Sequence, residues 1–123
     1  METMETIILK NLIQNEDYTR RVVPFLDEEY FKDRNERTVY TLIRDHIHKY
    51  NRSPNRDALI IALDDRGGMT EQSYKDTSII IKSITDTIDP VDNEWLMDQT
   101  EKFCKDKAVY NAILRSIEII DGK

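Results

Sequence analysis

The length and composition describe one acidic domain with few chain breakers. The 123 residues fit a single domain of ordinary size and leave no room for a second. Hydrophobic residues make up 39% and charged residues 34%, and only 3 Gly and 3 Pro occur. A sandwich of short strands would need turn residues roughly every 8–12 positions. The composition therefore excludes such a sandwich and predicts an all-α domain.

The charge and the cysteine content limit the partners. A formal net charge of −6 repels phosphate backbones, so we expect weak binding of single-stranded DNA at best. The single cysteine, Cys104, permits no disulfide within the chain and favours a cytoplasmic protein. The apolar runs of the chain are far shorter than the ~20 residues of a membrane span. No signal peptide is evident either, so we expect no membrane partner. Met-Glu-Thr occurs twice, and we expect the native chain to start at Met4.

The spacing of apolar residues predicts about six helices, of which four lie in the first half of the chain. Residues 4–13 form an amphipathic helix, and residues 18–23 form a short one that Pro24 ends. An aromatic-rich connector, 25–31, follows and is expected to be buried. A third helix runs over about 33–50. A fourth is opened by Asn55 as its N-cap and closed by two glycines at 67 and 68.

The second half of the chain predicts two longer helices. Thr70 caps the fifth, in which Ile79-Ile80-Ile81 could also form a strand. The wider spacing favours a helix, with apolar or small positions at Tyr74, Thr77, Ile81, Ile84 and Ile88. After the break at Asp89-Pro90, the longest helix runs over about 92–120. Its apolar stripe comprises Leu96, Phe103, Tyr110, Ile113, Leu114, Ile117 and Ile120. Four of these residues recur every seven positions, which places them along one seam.

No pattern in the sequence predicts a catalytic, cofactor-binding or metal-binding residue. The chain lacks a phosphate-binding loop, because its only glycines are at positions 67, 68 and 122. His46 and His48 are two residues apart, so they point to different sides of a helix. Lys105 and Lys107 could lower the thiol pKa of Cys104, but no paired base is suggested and a packing role is favoured. A small metal-dependent nuclease that uses the acidic residues is kept as a minor hypothesis.

Four stretches, read in order, resemble the N-terminal domain of DnaB-type replicative DNA helicases. They are Glu29–Phe31, Asn35–Ile43, Pro54–Leu63 and Phe103–Ala112. In that family an aromatic pair precedes a helix, a proline and a cap residue open a short helix, and a charged segment opens the long arm of a helical hairpin. The likeness is greatest to the helicases of T-even-type bacteriophages and covers nearly the whole chain from Met4. The lysines at 105 and 107 replace arginines of the bacterial relatives, so bidentate pairing by those arginines does not carry over.

The resemblance implies a role within a larger motor. Residues 4–91 would form a helical head, and residues 92–121 the first arm of a hairpin. The ATPase domain, with its ATP and Mg, would lie in the parent protein outside this chain, so this chain is expected to be non-catalytic and part of a longer protein. It would serve as the collar of a hexameric ring in the primosome, mediating subunit assembly and primase docking during phage DNA replication. That ring would act in the cytoplasm of the infected bacterial host and reach DNA only when complete.

The last helix is the expected oligomer interface. Its predicted interface residues are Phe103, Tyr110, Ile113, Leu114, Ile117 and Ile120. The resemblance implies that the second hairpin arm lies outside this chain, so these residues would face water unless another chain covers them, and we expect a weak dimer rather than a stable hexamer. The alternative is a free-standing phage adaptor or regulator that binds a host protein by helix-in-groove packing.

Overall fold

The computed structural model describes residues 2–86 and 90–120 of the chain. Within these ranges there are six α-helices, two 3₁₀ turns and no strand, which confirms the all-α prediction. The α-helices are α1 (Met4–Gln14), α2 (Glu16–Val22), α3 (Arg34–Tyr50), α4 (Arg56–Arg66), α5 (Glu71–Asp86) and α6 (Asn93–Ile120). The first 3₁₀ turn is Val23–Phe25 and the second is Glu28–Tyr30. No helix among the described residues is long and apolar enough to cross a bilayer.

Side-chain caps set where several helices begin, and two of them were predicted. The side chain of Asn55 accepts a hydrogen bond from the backbone N–H of Ala58 at 2.8 Å, as an N-cap of α4 should. The Thr70 hydroxyl accepts from the N–H of Ser73 at 3.0 Å and caps α5 in the same way. Gly67 ends α4 with φ +66° and ψ 179°, a conformation nearly confined to glycine and different from the left-handed helical one.

The core lies where α1, α3 and α5 pack against one another. Its fully buried side chains include Ile8, Leu9 and Leu12 from α1, Val39, Tyr40 and Ile43 from α3, and Ile81 and Ile84 from α5. The 79–81 stretch therefore belongs to a helix, and the strand alternative is wrong. Ile88, which the same helical spacing included, lies outside the described residues.

The aromatic connector between α2 and α3 is only partly buried. Phe31 is fully buried, and its ring stacks on that of Tyr40 with centroids 4.8 Å apart. Phe25 is 71% exposed, so the prediction of burial is wrong for that residue. Phe25 is the last residue of the first 3₁₀ turn, and the next residue, Leu26, enters the core in its place.

The first three turns of α6 pack onto the helices that precede it. These helices, α1 to α5 with the two 3₁₀ turns, are called the head. Leu96, Thr100 and Phe103 are buried there, and α6 contacts α1, α2 and the second 3₁₀ turn. With 28 residues at ~1.5 Å each, α6 is about 42 Å long, and everything beyond Phe103 is exposed or half-buried. The distal part of α6 therefore offers a large uncovered surface.

Candidate interaction surfaces on the last helix

One seam of α6 changes from core to surface along its length. Leu96 and Phe103 are buried, whereas Tyr110 and Ile117 are 54% and 49% exposed. Residues seven positions apart drift by only ~20° around a straight α-helix, so all four lie on nearly the same face. The face that is core at the start of α6 thus continues as bare apolar surface at its end.

The exposed apolar residues on this seam and directly beside it, in the distal part of α6, are called the α6 stripe. It consists of Tyr110, Ile113, Leu114, Ile117 and Ile120. All five belong to the interface predicted from the sequence, and their role there remains a prediction. Phe103, the sixth predicted interface residue, is buried against the head: it is 8% exposed and its ring centroid is 6.0 Å from that of Phe31. Phe103 could reach another chain only if the head opened.

Polar contacts hold the opposite side of the distal α6 against the head. Asn111 donates a hydrogen bond to the Glu29 carbonyl, with Nδ2 3.4 Å from the oxygen. One turn later, an Arg115 guanidinium nitrogen lies 3.4 Å from Glu29 Oε2. Both side chains of that ion pair are exposed, so it contributes little stability. These contacts leave the α6 stripe uncovered, because Asn111 and Arg115 lie on a different face of the helix from Ile117.

A second apolar surface is a groove between the first 3₁₀ turn and α6. It encloses about 560 Å³ and is lined by Val22, Phe25, Tyr30, Met97, Thr100, Glu101, Cys104, Lys105 and Ala108. Phe25 is the most exposed of the large apolar side chains in this groove. The groove lies on a face of α6 different from that of the α6 stripe, so the two surfaces could be occupied at the same time.

Cys104 in this groove is not an activated nucleophile. Burial raises the pKa of its thiol to about 11. The expectation that neighbouring lysines could lower this pKa is therefore wrong, while the packing role favoured from the sequence agrees with a half-buried thiol. Lys105 instead pairs with Glu101 at 2.9 Å, and Lys107 lies 5.6 Å from the centre of the Phe103 ring. At pH 7 the thiol stays protonated and acts as a small apolar group.

The two histidines do not form a metal site. His46 is half-buried, and its ring lies 4.7 Å from that of Tyr50, while His48 is exposed. Burial lowers the pKa of His46. Over residues 2–86 and 90–120, no group of three potential ligands among histidine, cysteine and the acids could hold a metal ion. The nuclease hypothesis thus gains no support from the part of the chain that is described.

The chain is similar in sequence to a known bacteriophage protein. The chain is 34% identical over 116 residues to the DnaB-like replicative helicase of Enterobacteria phage T4. The alignment covers 94% of this chain and 24% of the helicase, so the chain spans about a quarter of that relative's length. No protein-family model matches the chain. The resemblance predicted from the ordered motifs is confirmed to this extent: the chain is similar to part of a DnaB-like replicative helicase.

Proposed function

We propose that this chain is the non-catalytic N-terminal collar domain of a hexameric replicative DNA helicase, mediating subunit assembly and primase docking. ATP and Mg would bind in the remainder of that helicase, and DNA would be reached only through the complete ring. The homology supports this proposal because it covers nearly all of this chain but only 24% of a helicase. The α6 stripe is the observation that carries it.

The spacing of the α6 stripe suits a helical partner. Tyr110, Ile113, Ile117 and Ile120 alternate in steps of three and four residues, which is the pattern of a coiled-coil seam, and Leu114 flanks them. The apolar pattern begins only after Phe103, because Asp106 occupies the position of the repeat before Tyr110. Beyond Phe103 the head no longer covers α6. The apolar repeat is therefore continuous only where its own domain leaves it bare.

The energetics favour weak association of the chain by itself. Fully burying one large aliphatic side chain stabilises by roughly 1.5–3 kcal/mol. The residues of the α6 stripe are 42–82% exposed, so each can recover only part of that amount. Association costs an estimated ~4–15 kcal/mol in lost freedom. The two contributions are of similar size, so we expect a reversible dimer in which α6 pairs with α6.

Site-specific cross-linking tests whether the α6 stripe is the contact. Ile117→Cys should give a covalent dimer with a short bis-maleimide, because position 117 lies in the seam. Ile61→Cys is the matched control: it places a cysteine on α4 at a position where the isoleucine is 60% exposed, against 49% for Ile117. Cys104 is present in both variants and is half-buried. Equal cross-linking of the two variants would contradict the assignment of the interface.

Primase docking has a separate test. Calorimetric titration of the chain with the primase encoded by the same genome should give saturable binding. Absence of binding, for a chain shown to be folded by circular dichroism, would remove primase docking from the proposal and leave subunit assembly standing.

A second candidate is a free-standing phage adaptor or regulator that binds a host protein. The groove beside Phe25 favours it, because helix-in-groove binding needs an exposed apolar channel. The coding sequence separates the two candidates. An open reading frame that continues past residue 123 into a phosphate-binding loop supports the collar, and a stop codon there supports the adaptor.

A further inference from the structure

The arginines of the described chain differ in whether a carboxylate pairs with them. Within residues 2–86 and 90–120, five form an ion pair with a carboxylate: Arg20, Arg21, Arg44, Arg56 and Arg115. The other four, which have no such pair there, are Arg34, Arg37, Arg52 and Arg66. Three of these four line a single cleft, namely Arg34, Arg37 and Arg66. Arg37 donates its Nε–H to the Phe31 carbonyl at 3.2 Å, a contact that does not use its two terminal nitrogens. Acidic residues outnumber basic ones by 24 to 18, so a group of arginines without a carboxylate partner is not what the composition alone would produce.

This cleft lies between the first turns of α3 and the loop that joins α4 to α5. It encloses about 530 Å³, within the ~300–1,000 Å³ usual for small-molecule sites. Arg34 and Arg37 come from α3, and Arg66 is the last residue of α4. The remaining lining is largely polar, comprising Glu28, Thr38, Thr41, Gly67, Gly68, Met69, Thr70 and Ser73.

Two carboxylates beside this cleft, those of Glu28 and Asp33, have other partners. Glu28 is the one carboxylate in the lining as described, and its Oε2 lies 3.7 Å from an Arg44 guanidinium nitrogen and 3.3 Å from Thr41 Oγ1. Asp33, next to Arg34, accepts a hydrogen bond from the N–H of Glu36 at 2.9 Å, as the cap of α3. The lining holds three arginines and one carboxylate, so its formal charge is positive in a chain whose net charge is −6.

The backbone that follows Arg66 adds to the positive potential of the cleft. Gly67 and Gly68 both have positive φ, +66° and +70°, and they lead into the N-terminus of α5. A helix N-terminus carries a partial positive charge, which favours an anion nearby, and Glu71 in the first turn of α5 offsets part of that charge. The arginines provide the principal attraction, and the helix end reinforces it.

We propose that this cleft binds a compact phosphate-bearing anion about the size of a diphosphate group. Guanidinium groups bind phosphate oxygens through two parallel hydrogen bonds, and three of them suit a ligand with several negative charges. A lone carboxylate would engage only one arginine. The lining contains no aromatic ring on which a base could stack, and the net charge repels long nucleic acids. The cleft thus recognises the phosphates of a small ligand.

The test uses inorganic pyrophosphate as the probe, in a metal-free buffer of low ionic strength. We expect saturable NMR shifts of backbone amides confined to residues 34–41 and 66–73. Arg66→Gln and Arg34→Gln should each weaken binding by about tenfold or more, because each removes a charge-assisted hydrogen-bond donor. Arg52→Gln is the matched control, since Arg52 is also without a carboxylate pair in the described chain but lines a different cleft. It should change the affinity by less than about twofold. Arg34, Arg52 and Arg66 are all exposed, and circular dichroism checks that each variant is folded.

The contrary outcomes are equally specific. Absence of saturable shifts at millimolar pyrophosphate would overturn the proposal. So would equal weakening by Arg52→Gln, or the same shifts produced by acetate at equal ionic strength, because either would indicate general charge screening. Displacement of pyrophosphate by a single-stranded oligonucleotide at sub-micromolar concentration would make the cleft a nucleic-acid site and overturn the assignment of a compact ligand.

Discussion

The hydroxyl of Tyr18 on α2 lies 2.7 Å from the hydroxyl of Thr100 on α6, and both side chains are buried. Burial raises the pKa of Tyr18, so its phenol stays neutral at physiological pH. The two residues are 82 positions apart in the chain. Their hydrogen bond therefore joins α6 to the head ten residues before the α6 stripe begins at Tyr110.

Removing the two hydroxyls should have unequal effects on stability. Thr100→Val leaves the Tyr18 hydroxyl buried without a partner, which should cost about 1–3 kcal/mol. Tyr18→Phe should cost less, because the Thr100 hydroxyl can turn to the carbonyl one turn earlier in α6. The double variant, in which neither hydroxyl remains, should be more stable than Thr100→Val alone. Urea unfolding of the four proteins measures these free energies. Strictly additive losses would show that the two hydroxyls do not interact.

Tyr40 offers the opposite case, a buried hydroxyl without a hydrogen-bond partner among the described residues. Desolvation of an unpaired hydroxyl is costly, so Tyr40→Phe should stabilise the domain by about 1 kcal/mol. The stacking on Phe31 would be kept. Tyr18→Phe is the matched control, since it removes a hydroxyl that does have a partner. A loss of stability in Tyr40→Phe would show that this hydroxyl makes a bond absent from the described contacts.

Cys104 should make the domain sensitive to alkaline pH. Burial raises the pKa of its thiol from 9.0 to about 11, so the folded state holds this proton more tightly than the unfolded state. The resulting stabilisation is fully present below pH 9 and is lost as pH rises from 9 towards 11. The free energy of unfolding of the wild type should therefore fall more steeply between pH 8.5 and 10 than that of Cys104→Ala. Burial also raises the pKa of Tyr40, to about 12, so both proteins should lose stability above pH 10. Parallel curves below pH 10 would contradict the effect assigned to Cys104.

Local sequence rules predicted the helices well. Asn55 and Thr70 cap their helices as predicted, because a side-chain cap depends only on residues three positions away. Periodicity identified α6 and the residues of its exposed stripe. It could not separate Phe103 from Tyr110, because both have the same place in the seven-residue repeat. Only the position of the head decides that one is buried and the other is bare.

Features that depend on tertiary packing were missed for the same reason. One local feature was missed as well: Asn51 ends α3 in the left-handed conformation, with φ 58° and ψ 31°. Asparagine's tolerance of this conformation was a usable signal. No comparable signal joins Arg66 to Arg34 and Arg37, which lie about 30 positions earlier. The arginine cleft exists because the end of α4 packs beside the start of α3.

Sedimentation equilibrium of the wild type tests the central claim, that the α6 stripe is a surface for another chain. Between about 10 and 500 µM, the account predicts a reversible monomer–dimer equilibrium. Leu114→Asp with Ile117→Asp should abolish the dimer and leave the helical circular dichroism unchanged, because both side chains are 42–49% exposed in the monomer. Ile61→Asp, on the exposed side of α4, should dimerise like the wild type. A wild type that stays strictly monomeric at 500 µM would contradict the account, and so would equal loss of the dimer in the Ile61 control.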